Sequence, residues 1–147
     1  MKRITFSALL TVSLLTGCSL SEDEPCTLLD AKSEVSLLWR AADFGAADAA
    51  TLRLCVGKVC EQRRSGDLDR PFSSLSVPLP DADGPGPVPV RLTVTTTADG
   101  KEIVTDSAEA TLEEQNPNGK RCGPTAWTAA FRAEPNGLTD PKGLSLK

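Results

Sequence analysis

Residues 51–62 read TLRLCVGKVCEQ. Leu52, Leu54 and Val56 fall at every second position, the period of a strand with one buried face. Gly57-Lys58 follows, with glycine at the first central position of a two-residue turn, as a type II′ hairpin needs. Counting outward from that turn sets Val56 opposite Val59 and Cys55 opposite Cys60. A pair one step from such a turn is non-hydrogen-bonded and has the shorter cross-strand separation. That brings the two thiols within reach of a disulfide. The stretch predicts strands over about 50–56 and 59–63, bridged by Cys55–Cys60.

Upstream, Val35, Leu37 and Trp39 alternate within 33–41, a further strand, although Leu38 interrupts the pattern and a helical start near Asp30 competes with it. FGAADAA at 44–50 reads as a loop of small residues. Downstream, 63–71 is a charged connection. Leu75, Val77 and Leu79 alternate within 72–79, and Pro78 and Pro80 mark an edge strand or a strand end, because proline cannot donate to a ladder. DADGPGPVP at 81–89 reads as a stiff link. Val90, Leu92, Val94 and Thr96 form the cleanest strand, Asp99-Gly100 turns it, and 102–113 is its partner, with a competing helical reading over 107–110. Asn116-Pro117-Asn118-Gly119 is a turn. Trp127, Ala129, Phe131 and Ala133 form the last strand, after which Asn136-Gly137 and Asp140-Pro141-Lys142-Gly143 turn or fray. The pattern predicts an all-β chain: an immunoglobulin-like β-sandwich of about seven short strands over 26–138, with a tail over 139–147. The spacing of Cys55 and Cys122 around Trp39 departs from true immunoglobulin domains, and a chain without tyrosine has no tyrosine corner.

The chain has 147 residues and net charge -4. Without Lys2 and Arg3 the remainder carries 14 basic and 20 acidic side chains, net -6. Such a balance gives no general attraction to nucleic acid. There is no histidine, and Met1 is the only methionine. Serine, threonine and cysteine nucleophiles therefore lack their usual base, and copper or haem lacks ligands. No Gly-x-Ser-x-Gly or Ser-x-x-Lys occurs. No cofactor and no metal is expected. Asp81-x-Asp83-Gly84 lacks the further oxygen donors of a calcium loop and reads as a plain turn. Glu113 and Glu114 are adjacent on a strand, so they point to opposite faces and do not converge.

Residues 1–17, MKRITFSALLTVSLLTG, carry a basic head and an apolar run from Ile4 to Leu15. As a helix that run would reach about 18 Å, against a hydrocarbon core of about 30 Å. It reads as a signal peptide, not a span. Leu15-Thr16-Gly17-Cys18 resembles the lipobox of bacterial lipoproteins. The resemblance implies cleavage before Cys18 and diacylglycerol on its thiol, with a further acyl chain on its amine in many organisms. Two or more acyl chains give a firm anchor, at about 0.8 kcal/mol per buried CH₂. Residues 18–25 are then the lipidated N-terminus and a short acidic tether. The implied location is the extracytoplasmic face of the cell membrane, or the outer membrane in a Gram-negative cell, as Ser19 after the cysteine suggests. The general build is also similar to small lipoproteins of actinobacteria.

With Cys18 assigned to lipid, an even set remains: Cys26, Cys55, Cys60 and Cys122. An exported domain favours two disulfides, and Cys26–Cys122 follows from Cys55–Cys60 by subtraction. The alternatives are weaker: Cys-x4-Cys without histidine is poor zinc spacing, and no Cys-x-x-Cys opens a helix.

Trp39 and Trp127 could offer a sugar or peptide platform, but their apolar neighbours favour core packing. Asp67 and Asp69, with Arg63, Arg64 and Arg70 nearby, form a charge cluster that reads first as a solvated loop and second as a partner contact. The functional expectation is a non-catalytic, lipid-anchored domain that contacts an envelope protein, peptide or polymer, with no nucleic acid and with the membrane as partner through Cys18. A small-ligand-binding or sensory accessory lipoprotein is the second reading, and a hydrolase using carboxylates the third.

Overall fold

In a computed structural model, residues 26–82 and 84–140 are described. They form nine strands: β1 Glu34–Trp39, β2 Ala50–Val56, β3 Val59–Arg64, β4 Ser73–Pro78, β5 Pro87–Thr96, β6 Glu102–Thr111, β7 Glu113–Gln115, β8 Ala126–Glu134 and β9 Gly137–Thr139. Two sheets result. One has the order β4-β1-β8-β7, with β9 also on β8; the other is β3-β2-β5-β6. The chain is a two-sheet all-β domain.

The alternation that predicts the strands also builds the core. Val35, Leu37 and Trp39 on β1 and Leu75 and Val77 on β4 face Leu52, Leu54 and Val56 on β2 and Val90, Leu92 and Val94 on β5. Half-buried Trp127, Ala129 and Phe131 extend this layer along β8. The hairpin has the expected register, with Cys55 opposite Cys60 and Val56 opposite Val59. Gly57 takes φ 58°, and the only described non-glycine residue with positive φ is Asp48. Lys58 therefore excludes a type I′ turn, which needs positive φ at both central positions. At the far end of the β5–β6 hairpin Asp99 accepts from the Thr96 hydroxyl and from Lys101 N–H. These bonds, the Thr96 hydroxyl first, hold the Asp99 carboxyl below its ordinary pKa.

Several expectations need correction. The expected strand over 102–113 is two strands in different sheets: β6 ends at Thr111, Leu112 is buried, and β7 begins at Glu113 on β8. Burying Leu112 between the sheets turns the chain from one to the other. Residues 107–110 are strand, not helix, and 26–33 hold no helix. The expected loop at 44–50 is preceded by a 3₁₀ turn, Ala41–Phe44, that buries Phe44. β5 starts at Pro87, inside the expected link. Its prolines are tolerated because β2 ends opposite Val90: on that flank Pro89 O accepts from Gly57 N–H at 3.0 Å, and no ladder acceptor waits for a proline N–H. Residues 137–139 do not fray. They return on β8 as β9, with Leu138 N–H donating to Asp106 Oδ2 at 2.8 Å. The last strand thus runs one residue past the expected boundary at 138. Pro78 does lie on an edge strand, β4.

Both disulfides form as paired in the sequence reading, Cys26–Cys122 and Cys55–Cys60, the latter with Cα atoms 4.0 Å apart. The segment that follows Cys26 is held by Asn118, which is buried. Thr27 Oγ1 (2.7 Å) and Leu29 N–H (2.9 Å) donate to Asn118 Oδ1. Asn118 Nδ2 donates to Leu29 O (2.8 Å) and Gly123 O (3.3 Å). The side-chain amide thus pairs with Leu29 as a strand neighbour would. Asn118→Asp keeps the acceptor and removes both donors. It is expected to cost about 2 kcal/mol and to raise amide exchange at Leu29. Unchanged exchange there would show that the disulfide alone holds the segment.

Candidate functional site

Trp39 has no exposed surface, and its indole N–H donates to Ser65 O at 2.8 Å inside the core. It offers no face to a ligand, because its ring fills the space between the sheets and its one donor is satisfied there. Trp127 is half-buried against the same core. Asp67 and Asp69 are exposed in the connection between β3 and β4. There Asp67 Oδ1 accepts from Asp69 N–H (3.2 Å) and Asp67 O accepts from Arg70 N–H (3.2 Å), which makes a tight turn. Asp67 and Asp69 meet only within that turn, and among the described residues no hydrogen bond joins them to Trp39 or Trp127. Cys18 and the segment 1–25, the aspartate Asp83 of the calcium-like turn, and the tail 141–147 lie outside the described residues.

The structure gathers a different set. β7 pairs with β8 as far as Glu113 opposite Thr128, and β9 pairs from Thr139 opposite Arg132. Between them no described strand covers Ala129, Ala130 and Phe131 on that side. Antiparallel pairs alternate in hydrogen bonding. Counting from the two-residue turn between Glu134 and Gly137, the backbones of Arg132 and Thr128 face β9 and β7. Ala130, midway, presents its N–H and C=O to the interruption. Over this gap lies an open groove of about 690 Å³. Ala129, Phe131 and Leu138 give it an apolar floor, and Glu34, Glu109, Glu113 and Asp140 bring carboxylates from separate elements. No lysine or arginine lines it. Glu34 is held in place by the hydroxyls of Ser36 (3.2 Å) and Ser76 (3.0 Å). Among the described residues no three acidic or cysteine side chains come close enough to hold one metal ion. The groove is thus a negative depression beside an exposed piece of strand backbone, suited to a cation-bearing or extended partner.

Sequence reasoning missed this site for a physical reason. Its carboxylates sit on β1, β6, β7 and after β9, and only the jump at Leu112 and the return of β9 bring them together. Gly137, whose φ of 134° and close approach to Asp106 leave no room for a Cβ, lets β9 return along β8.

Among the described residues no helix is long and apolar enough to cross a membrane. No family model matches the chain, and no curated protein and no solved structure matches it either.

Proposed function

We propose that this protein is a lipid-anchored, non-catalytic interaction domain on the extracytoplasmic face of a bacterial membrane, and that it contacts an envelope protein, peptide or polymer through the groove over Ala130. The groove carries this reading. It joins an exposed backbone donor and acceptor to an apolar floor and a negative rim, and such edges recruit extended chains. The partner is expected to present basic side chains. The anchor is supported by the lipobox and by cysteine pairing: two disulfides account for Cys26, Cys55, Cys60 and Cys122, which leaves Cys18 for the lipid.

An immunoglobulin-like type for the sandwich is part of the same proposal. The pairing of β4 with β1 and the order β3-β2-β5-β6 follow immunoglobulin strands E-B and C′-C-F-G. The strand beside β1 on its other flank is β8, which runs parallel to it.

The intact mass of the mature wild-type chain is expected to show acyl groups on Cys18, and Cys18→Ala to give an uncleaved or soluble form. Cross-linking on intact cells is expected to capture one discrete, saturable partner. Capture should fail with Cys18→Ala and with Ala130→Trp, which fills the groove from an exposed position. An unmodified Cys18 defeats the anchor; wild-type capture equal to Ala130→Trp defeats the groove. The groove volume also lies in the range of small-molecule pockets, about 300–1,000 Å³. Saturable binding of a small envelope metabolite, with no cross-linked protein, would favour the small-ligand reading instead.

A further inference from the structure

The second sheet turns a different face to solvent. On β2, Arg53 lies outward between buried Leu52 and Leu54; on β5, Arg91 lies outward between buried Val90 and Leu92. Arg53 stands opposite Gln62 of β3 and Thr93 of β5. Arg64 of β3 stands opposite Thr51, and Arg91 stands opposite Cys55. Arg64, Arg53 and Arg91 therefore occupy successive diagonal positions on three adjacent strands. Diagonal neighbours in a sheet are about 7–8 Å apart, so the three arginine positions form a line about 15 Å long on the backbone.

All three are exposed. None enters an ion pair or hydrogen bond among the described residues, where the ion pairs use Lys32 and Arg132 and the one arginine hydrogen bond outside them is Arg63 to Ser74 O. The positions between and beside them are Thr51, Gln62, Thr93 and Ser107, which are uncharged hydrogen-bonding groups. In a chain of net charge -4, three neighbouring arginines without a carboxylate among them run against the overall balance. A separate feature meets the line at Arg91. A shallow depression of about 420 Å³ is bounded there by the Cys55–Cys60 bridge, Arg91 and Ser107.

The geometry points to a binding site for a linear phosphate-bearing polymer on this face. Successive phosphates pair with Arg64, Arg53 and Arg91, and an uncharged linking unit sits in the depression beside Arg91. Guanidinium forks fit phosphate oxygens in bidentate pairs. The disulfide fixes the hairpin that carries Arg53 and Arg64, so the line is preorganised. Glu109, opposite Pro89, is next on the diagonal. It ends the line and limits the site to three charges. Glu109 and Glu102 also stand on the flanking edge strand β6, exposed. A flat anionic bilayer would press against both, whereas a single chain along the diagonal avoids them. The rows that hold the arginines carry no aromatic ring on which a base could stack, which disfavours single-stranded nucleic acid. This site lies on the outer face of the second sheet, shares only the edge residue Glu109 with the groove, and stands whether or not the groove binds a partner.

The test uses the full chain purified in detergent, with long-chain inorganic polyphosphate and poly(glycerol phosphate) as probes. Poly(glycerol phosphate) is expected to bind with a slope of log K against log salt near -2, as three phosphate contacts on a single strand imply at about -0.7 each; polyphosphate, which has no linking unit, is expected to compete for the arginines with lower affinity. Arg53→Glu/Arg64→Glu/Arg91→Glu is expected to weaken binding at least about 100-fold while the melting temperature stays the same, since the three side chains are exposed and unpaired. Triple replacement by lysine should retain part of the affinity. A charge-matched control, Lys32→Glu/Arg70→Glu/Lys101→Glu, should bind nearly as wild type. No binding by the wild-type chain, or equal losses in the control, overturns the proposal. So does binding to phosphatidylglycerol vesicles that polyphosphate fails to displace, which would assign the face to a membrane.

Discussion

A chain with alanine at both Cys26 and Cys122 is expected to melt about 10–15 °C below the wild type, a loss of about 3–4 kcal/mol. The bridge spans a sequence separation of 96, so in the unfolded chain it removes the freedom of most of the domain. The loop-entropy relation gives about 4.7 kcal/mol for a loop of that size and about 2 kcal/mol for the short loop at Cys55–Cys60. Delivered values fall below the relation because the unfolded chain retains structure. The ranking should survive that discount. Urea unfolding of the two double variants checks it, with the midpoint and the slope read separately. If Cys55→Ala/Cys60→Ala proves the more damaging, loop entropy does not set the ranking, and the order that the short bridge gives the β2–β3 hairpin dominates.

Trp39→Ala is expected to cost about 4 kcal/mol or more, close to the whole stability of a small domain, about 5–15 kcal/mol. The ring is wholly buried between the sheets, so truncation leaves a cavity that neither sheet fills by a side-chain rotation. The indole N–H also satisfies Ser65 O. Ser65 is fully buried and is tied to β2: its N–H donates to Ala50 O at 2.7 Å, and its hydroxyl accepts from Ala50 N–H at 3.3 Å. Trp39→Phe separates the two effects. It keeps much of the ring and removes the donor, and should cost about 2–3 kcal/mol. Equal losses in the two variants would mean that the hydrogen bond, not the ring volume, carries the contribution of Trp39.

The β2–β3 hairpin was legible in residues 51–62 because everything that specifies it is local: alternation, a glycine that accepts positive φ, and two cysteines set by counting. β1, β4 and β5 were legible for the same reason. The second disulfide followed from arithmetic alone. The parts that escaped are decided at long range. Glu102 to Glu113 holds no glycine, proline or turn pair, so nothing local marks Leu112 as the point where the chain leaves one sheet for the other. Asn118 reads as an ordinary turn residue until the segment after Cys26 is laid beside it. Trp127 was placed on the right strand, with its ring packed on the core as its neighbours suggested. The candidate site was not legible at all. Trp39, Asp67 and Asp69 were weighed for chemistry by type, whereas the groove depends on the spacing of strand ends that pair with β8.

The parallel neighbours β1 and β8 impose an order in time. β1 is complete at Trp39, yet its partner on one flank begins only at Ala126. Any process that delivers this chain from its N-terminus exposes that flank until most of the sequence has followed. Cys26 waits on the same arrival for Cys122. Closure of contacts so distant along the chain is slow, on the order of milliseconds to seconds in all-β domains. Throughout that interval Val35, Leu37 and Trp39 lie on a strand with an open side, the condition under which two emerging copies pair with each other instead of with themselves. The window of vulnerability for this protein is thus the interval before β8 arrives, and a factor that holds β1 until residue 134 has emerged would protect the yield of native protein.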